Sequence, residues 1–275
     1  MKFGLIGEKL SHSLSPEIHK KIFENLKISG DYSLIELKQS EILDFFRDRS
    51  MEYRGFNVTI PYKIKLMDFM EEISDEAREI GAINTIFQKN GKFYGYNTDY
   101  FGYKRTLEEN NIDIKDKDIT ILGAGGASRA VLKYSFDEGI KNTLIVARNI
   151  EKAKKELDLL LKNRDNIEFL NFEEFEKRKE KGYLIVNCTP VGMFPNILNS
   201  PVSKESLENY ENLLDLIYNP KETLFLKYGK KLGKKSINGL FMLVAQAVAS
   251  QEIWQDKKID NSVVKNIVSD LEEKF

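Results

Sequence analysis

The stretch Ile119-Thr120-Ile121-Leu122-Gly123-Ala124-Gly125-Gly126-Ala127-Ser128 decides the fold. Its first four residues read as a buried strand, the glycines as a turn, and the pattern from Ser128 onward as a helix. Strand, glycine turn and helix in that order are the setting in which such glycines bind a dinucleotide. Gly123 permits the tight turn, Gly125 lets the main chain approach a pyrophosphate, and the first N–H groups of the helix face its charge. The third motif position is Ser128 rather than Gly or Ala, so the match is loose and a purely structural turn is the competing explanation. About 120 residues precede the turn. That is enough for a separate domain, which should hold whatever the cofactor acts on.

The next strand, Thr143-Leu144-Ile145-Val146-Ala147, ends in Arg148, with Lys152 one turn on. An NAD site usually carries an acid at this position for the ribose 2′-hydroxyl. A guanidinium offers a planar donor fork that suits a 2′-phosphate, so NADP is favoured over NAD. Taken alone, Arg148 is also compatible with an ordinary surface arginine after a strand.

The chain has 275 residues, about two domains' worth. Forty-two Lys+Arg against 43 Asp+Glu leave a net charge of −1, and no global case for a nucleic-acid or membrane partner. One cysteine, Cys188, excludes an intrachain disulfide framework and a cysteine-built metal cluster. Two histidines leave little for a histidine metal site, and no metal is expected. The start lacks a long apolar stretch, and no 18-residue apolar run occurs. A cytoplasmic protein is expected, as a monomer or homodimer.

Apolar runs alternate with amphipathic helical patterns, which argues for an α/β fold with largely parallel sheets. Further strands are expected at Phe3–Ile6, Tyr32–Leu37, Phe56–Ile60, Leu184–Asn187 and Leu213–Ile217. A hairpin is expected from Ala82–Gln88 and Lys92–Tyr96 around Asn90-Gly91. Helices are expected after Ser15-Pro16, from Asp99 to about Asn110, through the charged 150s, over Leu240–Trp254 and over Asn261–Phe275. The division expected is 1–100, 101–237, and 238–275 returning to the first domain.

Ser13 and Ser15 flank the start of the first helix in Ser11-His12-Ser13-Leu14-Ser15-Pro16. Two hydroxyls there could hold a small carboxylate, or Ser15 could simply cap the helix. In Gly55-Phe56-Asn57-Val58-Thr59-Ile60-Pro61-Tyr62-Lys63 a strand stops at Pro61 and Lys63 follows at its end, where α/β folds bind ligands. Asn97-Thr98-Asp99 closes the hairpin, and Asp99 is either a helix cap or the acceptor of a Lys–Asp dyad. Gln246 interrupts an apolar helix, and a buried amide there needs a partner.

Together these stretches resemble the shikimate dehydrogenase family nearly end to end. The motifs are Ser11–Pro16, Asn57–Lys63, Gly81–Thr85, Gly95–Asp99, Gly123–Ala130, Asn187–Met193, Asp215–Pro220, and Asn238-Gly239 through Gln246-Ala247. The resemblance implies an N-terminal α/β substrate domain, a Rossmann-type doubly wound NADP domain, and reversible NADPH-dependent reduction of 3-dehydroshikimate to shikimate. It implies Lys63 and Asp99 as the catalytic pair. Ser13 and Ser15 would meet the substrate carboxylate, and Thr59, Asn84 and Gln246 the ring hydroxyls, with Tyr218 nearby. Gly123, Ala124, Gly125, Gly126, Ala127 and Ser128 would form the pyrophosphate loop. Arg148, with Lys152, would read the 2′-phosphate, and Thr189, Gly239 and Met242 would lie close to the nicotinamide. Two departures stand out. Glu8-Lys9-Leu10 replaces an early proline, and Ala147-Arg148-Asn149 replaces Asn-Arg-Thr, which alters polar contacts to the 2′-phosphate. Two alternatives stay open: a quinate/shikimate enzyme preferring NAD, and a non-catalytic NADP sensor with no need for Lys63 and Asp99.

Overall fold

A computed structural model of the chain describes residues 1–11, 13–162 and 164–273. His12 of the Ser11–Pro16 motif and the last two residues of the expected C-terminal helix lie outside the described residues. The chain divides into two compact units, Met1–Gly102 with Val244–Asp270, and Tyr103–Leu243 with Leu271–Phe275.

The first unit is built on strands β1 (Lys2–Gly7), β2 (Asp31–Glu36), β3 (Gly55–Val58), β4 (Glu72–Ile73), β5 (Thr85–Lys89) and β6 (Lys92–Tyr96). Their order is β2-β1-β3-β5-β6-β4. β1 runs parallel to β2 and β3, whereas β5 is antiparallel to both β3 and β6. The sheet is therefore mixed rather than largely parallel, because a two-residue turn can return the chain only as an antiparallel neighbour. Asn90 and Gly91 form that turn at φ 54° and 77°, the left-handed pair a tight hairpin requires. Helices α1 (Ser15–Leu26), α2 (Ile42–Asp48) and α3 (Asp75–Ile80) belong to the same unit.

Alternation along β3 sorts its side chains by face. Phe56 and Val58 enter a core with Ile6, Phe46, Tyr62, Leu66 and Ile86. Phe3, Leu5, Phe23, Tyr32 and Trp254 pack together in a second cluster. Gly55 is required there, since a Cβ would run into the Trp254 indole, whose N–H donates to the Ile86 carbonyl at 2.9 Å.

α4 (Thr98–Glu109) leads into the second unit, with strands β7 (Asp118–Leu122), β8 (Asn142–Val146), β9 (Ile167–Leu170), β10 (Gly182–Asn187), β11 (Tyr210–Asp215) and β12 (Lys235–Ile237). Helices α5 (Gly126–Asp137), α6 (Ile150–Leu161), α7 (Phe172–Arg178) and α8 (Leu224–Lys231) alternate with them; α9 (Leu240–Gln255) and α10 (Asn261–Glu272) follow. The order is β12-β11-β10-β7-β8-β9, with every pairing parallel. This is the doubly wound dinucleotide-binding order, with its switch point between β7 and β10. The glycine turn follows β7, and Cys188-Thr189 follows β10. Both thus leave the carboxyl ends of adjacent strands, where such sheets bind ligands.

Candidate active site

In the first unit, Lys63 lies in the loop after β3. Tyr62 anchors that loop: its ring is fully buried and its hydroxyl donates to the Leu37 carbonyl at 2.6 Å. The Lys63 carbonyl accepts the Ile83 N–H at 2.8 Å. Held at both ends, Lys63 places Nζ 2.7 Å from Asp99 Oδ2, with side chains 25% and 18% exposed. Asp99 sits in the first turn of α4, where the helix N-terminus favours its charge. Its other oxygen, Oδ1, accepts from Asn84 Nδ2 at 2.9 Å. Asn84 is itself oriented, because its Oδ1 accepts the Thr98 N–H at 2.7 Å. Asn84 thereby caps α4 from another strand end, a role expected of Asp99. Gln246 joins through Oε1, which accepts from the Thr98 hydroxyl at 3.3 Å; it is half-buried rather than buried. Thr59 is half-buried at the end of β3, and its N–H donates to the Ile6 carbonyl at 3.0 Å.

Ser15 does not cap α1. The helix begins at Ser15 itself, with Leu14 at the cap position and no side-chain cap. The Ser15 N–H donates instead to Ser13 Oγ at 3.2 Å. Both serines are partly exposed.

One turn into α1, His19 is buried, stacked on Tyr32 at 3.9 Å. Desolvation lowers its pKa from the usual 6.5 to about 3, against the hydrogen bond to Asn57, which raises it. With the folded value below the unfolded one, His19 contributes stability above pH 6.5 that is lost as pH falls toward 3. Between pH 7 and 5 that loss is about 2 kcal/mol. Urea unfolding at both pH values should show His19→Gln losing about 2 kcal/mol less than wild type over this interval. Equal losses in the two proteins would mean that His19 stays ionisable in the fold.

In the second unit, Gly123 adopts φ 96°, and a Cβ there would press on Thr189 Cγ2 at 2.9 Å. Gly125 stands at the N-cap of α5 with no side-chain cap. Around Gly125 and Gly126 nothing lies within 4 Å of where a Cβ would be. The open main chain at the start of a twelve-residue helix fits a pyrophosphate. Ala124 and Ala127 are partly exposed on the same turn. Ser128 is fully buried, and its hydroxyl donates to the Gly125 carbonyl at 2.6 Å, so its side chain shapes the turn rather than offering a phosphate contact.

Arg148 is exposed two residues after the end of β8. Asn149, the residue that departs from the family pattern, caps α6: its Oδ1 accepts the Lys152 N–H at 2.9 Å. The Lys152 ammonium reaches Glu156 at 3.7 Å on the exposed face of that helix.

Thr189 is positioned by a hydrogen-bonded chain through buried Asn187 and Asp215. Its N–H and hydroxyl both donate to Asn187 Oδ1, at 3.0 and 2.7 Å. Asn187 Nδ2 donates to Asp215 Oδ1 at 3.0 Å. Asp215 also accepts from the Thr223 hydroxyl at 2.6 Å and the Ile217 N–H at 3.0 Å. Burial raises its pKa to about 6 despite these donors. Desolvation of its sulfur and the Asp215 charge push the Cys188 thiol pKa up. Gly239 is packed against the Leu216 main chain, Met242 is buried on α9, and Tyr218 is half-buried after β11. Among the described residues no cluster of His, Cys, Asp or Glu could hold a metal ion, and no helix is long and apolar enough to cross a membrane.

Known proteins match this chain along its whole length. The model of the shikimate dehydrogenase substrate binding domain matches residues 5–86, and that of shikimate/quinate 5-dehydrogenase residues 105–211. Shikimate dehydrogenase (NADP(+)) of Clostridium beijerinckii is 43% identical over 274 residues, covering 99% of this chain and 98% of that protein. A chorismate mutase/shikimate 5-dehydrogenase fusion protein from Clostridium acetobutylicum superposes with a TM-score of 0.91 at 43% identity, covering 99% of this chain and 97% of that one. Shikimate 5-dehydrogenase from Thermus thermophilus, solved with NADP(H) and shikimate, gives 0.86 at 28% identity, covering 98% of both chains. A Lys–Asp pair at the strand ends of one unit, a glycine turn at the switch point of the other, and these likenesses lead to one conclusion: the chain belongs to the shikimate dehydrogenase family.

Proposed function

We propose that this chain catalyses the reversible reduction of 3-dehydroshikimate to shikimate with NADPH, as an oxidoreductase acting on a CH–OH group. The observation that carries the proposal is the 2.7 Å contact between Lys63 Nζ and Asp99 Oδ2, in a chain whose relatives bear that activity in their names. Bound NADPH supplies the hydride. The protein's residues supply position and a proton.

Ser13 and Ser15 take the substrate carboxylate, and Thr59, Asn84, Gln246 and Tyr218 take ring hydroxyls. Holding the carbonyl in one orientation removes much of the entropic barrier. As the carbonyl oxygen gains charge, Lys63 gives it a proton, and in the reverse direction takes one from the hydroxyl. Asp99 keeps the ammonium aimed, and Asn84 keeps Asp99 aimed. Gly123 to Ala127 take the pyrophosphate, with Ser128 holding their turn. Arg148, with Lys152, takes the 2′-phosphate; Thr189, Gly239 and Met242 take the nicotinamide end.

Absorbance at the reduced-nicotinamide band tests the proposal. Shikimate with NADP⁺ should give rapid reduction, and NAD⁺ a slower one. Faster oxidation of quinate with NAD⁺ would replace the proposed substrate and cofactor, and no turnover with either acid would point to a sensor. Arg148→Ala should lower kcat/KM for NADP⁺ by about 10- to 100-fold, the worth of one or two charge-assisted hydrogen bonds, with NAD⁺ nearly unaffected. An unchanged cofactor ratio would place the 2′-phosphate elsewhere.

A further inference from the structure

Asn57 is a polar side chain 6% exposed on β3. Its Oδ1 accepts from the Tyr32 hydroxyl at 2.8 Å and from His19 Nε2 at 3.2 Å. The two N–H groups on its Nδ2 are shared among three acceptors, Ser250 Oγ at 2.8 Å, Thr85 Oγ1 at 3.0 Å and the Asn84 carbonyl at 3.3 Å. The whole capacity of the amide is used.

The direction of these bonds is set from outside. Gln251 Oε1 accepts from Gln255 Nε2 at 3.2 Å, so Gln251 Nε2 is the end that donates to His19 Nδ1 at 2.9 Å. Neutral His19 then carries its proton on Nε2, facing Asn57 Oδ1. On the other side, Thr85 Oγ1 accepts from Asn57 and donates to Asn84 Oδ1 at 3.1 Å. Asn84 Oδ1 also takes the Thr98 N–H, which leaves its Nδ2 for Asp99 Oδ1 and leaves Asp99 Oδ2 for Lys63.

We propose that Asn57 is a positioning residue for the reaction. Through Thr85 and Asn84 it sets the orientation of Asp99. This role rests on Lys63 and Asp99 being the proton-transfer pair. Only an amide fits the position. Aspartate would keep the volume and the bonds from Tyr32 and His19, but it has no N–H for Thr85. Thr85 and Ser250 would turn their protons toward the carboxylate, Thr85 would release Asn84, and the Asn84 carbonyl would face a negative charge.

Steady-state kinetics with shikimate and NADP⁺ on Asn57→Asp and Thr85→Val test the role. Ile86→Val, a core change next to Thr85 on β5, controls for lost stability. Asn57→Asp should lower kcat at least ~10-fold and Thr85→Val at least ~5-fold, in the range a small misplacement of reacting groups produces. KM for NADP⁺ should stay within about 2-fold in both, and Ile86→Val should keep its kcat whatever its change in Tm. Thr85→Val decides the matter if Asn57→Asp does not fold. A kcat within about 2-fold of wild type in the folded variants would overturn the role, as would an equal loss in Ile86→Val. A wild-type chain unable to oxidise shikimate would overturn the assigned activity and this role with it; an active wild type with unaffected variants overturns the role alone.

Discussion

Lys63→Ala should turn shikimate over at least ~10²-fold more slowly than wild type, within the usual range for a positioned acid–base group. The Lys63 ammonium is the one cation bonded to Asp99 in the described residues. Water can replace a proton donor only without its fixed position, and position supplies much of the rate. The fold should tolerate the change. The Lys63 side chain is a quarter exposed, while the loop is anchored through Tyr62 and the Lys63 carbonyl, which alanine leaves in place. Asp99 keeps its bond from Asn84 and its place in the first turn of α4. Turnover and shikimate binding, followed separately, should split, with kcat collapsing and binding little changed. Near-normal turnover would assign proton transfer to another group.

Gly239→Ala should be nearly as damaging, for a reason of space. Gly239 joins β12 to α9, and its N–H donates to the Ile217 carbonyl at 3.0 Å. A Cβ would overlap the carbonyl oxygen, carbonyl carbon and Cα of Leu216. These are main-chain atoms with no flexible end to yield. Leu216 is in turn held by its N–H bond to the Asn187 carbonyl at 3.0 Å, and the next N–H, that of Ile217, is bonded to Asp215. Relief of the clash must therefore move the Asp215–Asn187–Thr189 chain. A loss of about 2–3 kcal/mol in unfolding free energy is expected from the overpacking, with KM for NADP⁺ raised at least ~10-fold. Urea unfolding and cofactor titration check both. Unchanged values would show that Leu216 gives way freely.

The parts of the fold legible in the sequence are those whose signal is local. Leu122-Gly123 through Ser128 announces strand, turn and helix because the apolar run and the glycines are adjacent. Asn90-Gly91 announces the hairpin because two successive left-handed residues favour those two types. The strands without a sequence signal are β4, β9 and β12, and each is an edge strand. Glu72-Ile73, Ile167-Glu168-Phe169-Leu170 and Lys235-Ser236-Ile237 are short or mixed in polarity. An edge strand has one pairing partner and an exposed side, so its conformation depends on a neighbour distant in the chain.

The site divides in the same way. Lys63, Asp99 and Arg148 stand out as candidates because they follow strands or open a helix in recognisable motifs. Asn57 stands within such a motif but gives no sign of its own role, since a polar residue between Phe56 and Val58 reads as the solvent face of a strand. Its actual surroundings, His19, Tyr32, Thr85 and Ser250, come from four other segments, as distant as 193 residues in the chain. By itself the sequence determined the α/β architecture and the glycine turn, because composition, periodicity and turn residues act over a few neighbours. Only the tertiary structure decided that Asn84 rather than Asp99 caps α4, that Leu14 rather than Ser15 stands at the cap position of α1, and which way each buried amide points. Hydrogen-bond direction is settled by every partner around a group at once, and those partners meet only when the chain has folded.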